Sequence, residues 1–141
     1  MMCFSSAVVT DEFFVPLPAD QQRPVENKRL VLQVQIPPLP QPVDASTPPN
    51  PMHNQTGFDN VTHIQHALYR VAWRQIGLPT DQLDSERWTA LSKVQGGRTV
   101  YESREVFHGS LALTLKEMYG EGLQEGFKAQ AQALKILVEG R

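Results

Sequence analysis

The chain has one cysteine, Cys3, among 141 residues. That excludes an internal disulfide framework and any zinc site built from several thiolates. It has no apolar run of the roughly 18–20 residues needed to cross a bilayer as a helix. It has no excess of either charge: 13 Lys and Arg against 15 Asp and Glu leave a formal net charge of −2. A global basic field that would draw in nucleic acid is therefore missing, and so is an acidic tail. Large hydrophobic content is also scarce. Apolar residues make up 40% of the chain, which predicts that only part of it packs as a core. The segment Met1–Phe14 has no positive stretch and carries Asp11 and Glu12, unlike a secretory signal. These features together predict a soluble chain in the cytoplasm, or in a particle assembled inside the cell, with no membrane span.

Proline is abundant at one end and nearly missing at the other. Ten of the eleven prolines lie between Pro16 and Pro51. Because proline blocks helix interiors and central strands, residues 1–52 read as an extended arm. Two short β-like runs interrupt it. Ala7–Val15 is rich in β-branched and aromatic side chains, among them Phe13 and Phe14. Leu30–Ile36 alternates, with Leu32, Val34 and Ile36 on one side and Gln33 and Gln35 on the other. The following Pro37-Pro38-Leu39-Pro40 favours polyproline II and reads as a semi-rigid spacer. The spacing of Pro37 and Pro40 also suits an SH3-type groove, but no Lys or Arg flanks them closely to fix orientation.

Residues 53–141 read as a helical domain. Val61, Ile64, Leu68 and Val71 recur at helical spacing, and Gly77-Leu78-Pro79 supplies a stop. A second helix is expected over Asp81–Gln95, ended by Gly96-Gly97. Thr99 and Glu102 have capping-box spacing for a third, with a short strand at Arg98–Tyr101 as the alternative. Ser110–Val138 contains no proline and many strong helix formers. Its glycines, Gly120, Gly122 and Gly126, leave open whether it is one helix or two. Gly122, Gly126 and Ala133 form a ladder of small residues beside Phe127, which predicts a groove where another helix packs closely. The expected fold is thus mainly α: a bundle of three to five helices with a proline-rich arm carrying two short strands.

The chemistry-bearing residues do not converge. On a helix, Asp59, His63, His66, Arg70 and Arg74 would share one stripe, yet no HExxH motif or third nearby histidine completes a metal site. Gly96-Gly97-Arg98-Thr99 lacks the spacing of a phosphate loop, and the serines lack a nucleophile elbow. Cys3 as an N-terminal nucleophile would need a layered sheet fold larger than this chain can build. The expectation is no enzyme, no catalytic residue, no cofactor and no metal. Helix, Gly-Leu-Pro-Thr, helix matches a helix-turn-helix, the alternative reading as a small DNA-binding regulator. Against nucleic acid as a partner stand Asp81, Asp84 and Glu86 at the start of the would-be reading helix. The residue pattern points instead to a structural or adaptor subunit, such as a virion or multi-subunit complex component. Its partners are other protein subunits or further copies of itself. The expected contacts are Phe13, Phe14, Leu32, Val34, Ile36, Pro37, Pro40, Gly122, Gly126 and Phe127.

Overall fold

The computed structural model describes residues 4–40, 42 and 46–140. Cys3 and part of the proline-rich run (Gln41 and Val43–Ala45) lie outside the described residues. The fold is a six-stranded antiparallel sheet followed by one helix, which overturns the helical bundle. The strands are β1 (Phe4–Thr10), β2 (Arg29–Gln35), β3 (Asn54–Gln65), β4 (Arg70–Gln75), β5 (Asp84–Val94) and β6 (Arg98–His108). They lie in the sheet in chain order, so each is hydrogen-bonded to its sequence neighbours. The helix α1 spans Ala112–Glu139 without a break. No helix among the described residues is long and apolar enough to cross a membrane.

Of the two runs assigned to an arm, Ala7–Val15 enters the sheet only through the end of β1, with Phe13 and Phe14 in the turn beyond it, and Leu30–Ile36 is β2 but for its last residue. The expected helices over Val61–Ile76, Asp81–Gln95 and Thr99–His108 are β3 with β4, β5, and β6. The first of these is rich in Val, Ile, Thr, Tyr and Trp, whose stiff or bulky side chains suit a pleated surface better than a helical one. A 3-10 turn at His66–Leu68 and a left-handed Tyr69 (φ 50°) cut it into two strands. The apparent 3.6-residue period there is produced by this turn and by a bulge between Val61 and His63, each of which shifts the phase of an alternating pattern. The Gly-Leu-Pro-Thr turn joins β4 to β5, so the two helices of a helix-turn-helix are absent from these residues.

The chain divides into two compact units. The first comprises the chain up to Ala7, Leu32–Gly57 and the helix from Leu113 onward. Its strand residues carry a polar ladder. Gln35, 1% exposed, donates to Asn54 Oδ1 at 3.0 Å and accepts from the Asn50 N–H at 3.0 Å. Asn54 in turn donates to Gln33 Oε1 at 2.6 Å. Burial in β2 follows Leu30 and Leu32, then slips to Gln35, leaving Val34 only half-buried. The buried positions of α1 are Gly126, Gln130 and Ala133, with Gly122 half-buried on the same face. A Cβ at Gly122 would stand 2.8 Å from Ile36 Cγ2, so the small-residue ladder receives an isoleucine methyl at this point.

The second unit is Val8–Val31 with Phe58–Ala112. Its buried apolar residues are Val9, Leu30, Val61 and Ala72. Beyond β6, the Ser110 and Leu111 N–H groups donate to the Asp81 and Gln82 carbonyls at 3.0 and 2.9 Å. Gly109 makes this possible with a φ of +101° that L side chains rarely adopt.

Candidate functional site

The second unit presents two differently furnished sheet faces and one free edge. Register places Val61, Trp73, Arg87 and Glu105 in a single cross-strand row on one face. Directly opposed residues share a face of a pleated sheet, so these side chains meet. Arg87 is 3% exposed. Its Nε donates to Ser103 Oγ at 2.9 Å, and its guanidinium lies 5.6 Å from the Trp73 ring centroid. Burial pushes the Glu105 carboxyl above the usual carboxylate range, while Arg87 and a hydrogen bond from Ser85 oppose the shift. Asp59 is pushed up to about 7, first by burial, then by the charge of Glu105, with Arg87 acting the other way. Two carboxyls thus share the field of one guanidinium. This cluster holds a proton near neutral pH and keeps the buried arginine compensated.

The opposite face carries the row His63, Ala72, Trp88 and Arg104. Ala72 is small enough for its neighbours to close over it. The His63 and Trp88 rings stack at 4.9 Å between centroids and 27° between planes, and Ala72 is 0% exposed beneath them. The Trp88 indole N–H donates to Glu86 Oε1 at 2.6 Å. Beside this stack lies an open groove of about 740 Å³, lined by Arg70, Trp88, Glu102 and Arg104 among others. Arg74 grips Asp84 through two bonds of 2.7 and 2.8 Å, holding that carboxyl below its usual range. Exposed pairs of this kind add little stability.

The β5–β6 hairpin continues outward from these two faces. Val94 pairs with Arg98 across the turn Gln95-Gly96-Gly97, whose glycines take φ of +79° and +70°. Every residue from Leu91 to Val100 is exposed. Leu91, Val94 and Val100 are 41, 40 and 40% exposed, and Leu68 and Tyr69 in the neighbouring turn are 54 and 64% exposed. Leu91 is tied to that turn through its N–H, which donates to the Tyr69 carbonyl at 3.0 Å. β6 stands last in the strand order, so among the described residues its outer edge has no neighbouring strand.

The contact residues expected from sequence do not gather here. Phe13 is 77% exposed at the tip of a loop in which Asp11 Oδ1 accepts the Phe13 and Val15 N–H groups at 2.8 and 3.0 Å. Phe14 is engaged within its own unit, edge-on to Phe58 at 5.0 Å and 4.8 Å from the Arg29 guanidinium. Leu32 is buried, and Ile36 is half-buried against α1 at Gly122. Pro37 and Pro40 are exposed, Gly126 is buried, and Phe127 is half-buried with a partner. The metal stripe of Asp59, His63, His66, Arg70 and Arg74 is dispersed, because the bulge turns Asp59 and His63 to opposite faces. No group of three or more His, Cys, Asp and Glu among the described residues is placed to hold a metal ion. Sequence reading missed Leu91, Lys93, Val94, Glu102 and Arg104. The signal that would have found them is Gly96-Gly97 between strand-forming runs, a hairpin turn rather than a helix cap. No family model, curated protein or solved structure matches this chain.

Proposed function

We propose that this chain is a structural or adaptor subunit of a protein assembly and that it engages its partner through the outer end of the β5–β6 hairpin. One observation carries the reading: a regular two-stranded hairpin in which every residue from Leu91 to Val100 is exposed, apolar ones included. Two strands alone are marginally stable in water. Strand-forming apolar residues held out in this way gain stability when another chain covers them. The exposed Leu68 and Tyr69 widen the same patch. The partner is a protein surface, since the hairpin offers apolar side chains and a strand edge, with Lys93 and Arg98 as its charged residues. A single cysteine is in keeping with assembly in a reducing compartment.

The test uses Lys93, which sits on the exposed hairpin next to the turn. Amine cross-linking in the cells that make the protein, followed by peptide mass analysis, is expected to join Lys93 to a lysine of another polypeptide chain. Absence of any cross-linked species larger than the single chain would refute the assignment.

A further inference from the structure

We infer that the partner along β6 is a second copy of this chain, paired antiparallel edge to edge through Arg98–His108 about a two-fold axis at Ser103. This deepens the reading of the hairpin end as an interface and rests on it. Two observations carry it: β6 is an eleven-residue strand with a free outer edge among the described residues, and its sequence complements itself. Long uncovered edges are templates for strand addition, which proteins ordinarily blunt with proline, bulges or repelling charges. β6 contains no proline, and its pairing with β5 is regular from end to end.

A two-fold axis perpendicular to the sheet keeps each side chain on its own face, so only registers centred on one residue are allowed. With Ser103 at the centre, Glu102 stands opposite Arg104 of the partner subunit, and Arg104 stands opposite the partner's Glu102. Val100 meets the partner's Val106 and Val106 meets the partner's Val100. These valines are 40 and 47% exposed in the single chain. Glu102 and Arg104 are both exposed, so their pairing needs no prior rearrangement. The neighbouring registers fail on charge. Centring on residue 102 sets glutamate against glutamate, and centring on residue 104 sets arginine against arginine. Directly opposed like charges oppose strand pairing, whereas opposite charges and β-branched pairs support it. The other face adds a complementary feature. Tyr101 Oη is buried with no hydrogen-bond partner among the described residues. This register sets Glu105 of the partner subunit opposite Tyr101, on the same side of the sheet. The product is a continuous twelve-stranded sheet in which the two open grooves beside Trp88 flank the new seam.

Sedimentation of the full chain tests this. The wild type is expected at twice the 15.8-kDa chain mass, dissociating on dilution. Glu102→Arg leaves only cations at the 102–104 pairs and Arg104→Glu only anions there. Each is expected to weaken self-association by at least about tenfold. The double variant E102R/R104E restores opposite charges and is expected to dimerise as the wild type does. Mixing the two single variants is expected to give a heterodimer that neither forms alone. Circular dichroism of each variant separates lost pairing from lost folding, and the mixture keeps the test decisive if the double variant folds poorly. A wild type that stays monomeric at every concentration overturns the inference, as do single variants that dimerise normally or a mixture that yields no heterodimer. In any of those cases, cross-links from Lys93 to a different protein would leave the adaptor reading standing. Cross-links only within the chain would remove both.

Discussion

Gly120 and Gly122 lie two residues apart in the same helix, yet alanine is predicted to act oppositely at the two positions. Helix propensity favours alanine over glycine by up to about 1 kcal/mol at each. At Gly120 the added Cβ meets only Lys116 Cγ at 3.6 Å, an ordinary contact, so Gly120→Ala is expected to stabilise by most of that amount. At Gly122 the Cβ would lie 2.8 Å from Ile36 Cγ2. That methyl is bonded to the stiff, branched Cβ of isoleucine and cannot swing away as the tip of a long side chain would. Overpacking of this kind costs about 1–3 kcal/mol, so Gly122→Ala is expected to be neutral or to destabilise by up to about 2 kcal/mol. Because the propensity gain is common to both variants, their difference isolates the packing contribution at about 1–3 kcal/mol. Urea unfolding with equal m-values reads the difference. Ile36→Ala combined with Gly122→Ala should recover much of the loss, as a favourable coupling in a double-mutant cycle. If Gly122→Ala stabilises as much as Gly120→Ala, α1 does not approach Ile36 as described.

Two further predictions concern the second unit. Asp59 is ionised only above about 7 in the folded chain against an ordinary 3.8, so the native state holds a proton that the unfolded chain releases. Its contribution to stability is therefore full below the ordinary value, declines as pH rises toward 7 and levels off above, a loss of at most ~4 kcal/mol. Asp59→Asn is expected to flatten part of this slope and to be more stable than wild type near about pH 8 in denaturant titrations. An unchanged slope would contradict the burial of that carboxyl. Gly109→Ala places a Cβ 2.5 Å from the Gln82 carbonyl oxygen at a φ of +101°, and is expected to cost at least about 2 kcal/mol. Gly97→Ala, at φ +70° with nothing within 4 Å, bears only backbone strain of about 1 kcal/mol and serves as its control in thermal melts.

The parts of the fold legible in the sequence are those whose buried faces follow a simple hydrophobic rule. β2 shows in the alternation of Leu30–Ile36, and α1 in its helix formers and in the small residues of its buried face. β5 and β6 show poorly, because one face mixes polar Ser85, Arg87, Thr89, Ser103 and Glu105 with aromatic Tyr101 and Phe107, while apolar Trp88, Ala90, Val100 and Val106 stand on the other. Apolar and polar residues mixed on both faces carry no clean hydrophobic period for a pattern search to find. The helical spacing of Val61, Ile64, Leu68 and Val71 came from a bulge and a 3-10 turn that shift a two-residue period. The prolines on their own suggest a separate arm. They instead fill the connections around β1 and β2, where a proline needs no ladder hydrogen bond. The candidate site was illegible for a related reason: an exposed hairpin differs from a solvated surface helix only in its turn residues and its register.

Amide hydrogen exchange across Leu91–His108 reads whether this end of the sheet is covered, once in the assembly recovered from the cell and once in the same chain diluted alone. These amides are expected to be strongly protected in the assembly. On dilution, exchange should become fast through the hairpin and at the outward-facing amides of β6, while β4 remains protected in both. Equal exchange in the two preparations would contradict this, because the β5–β6 end of the sheet would then be covered by nothing.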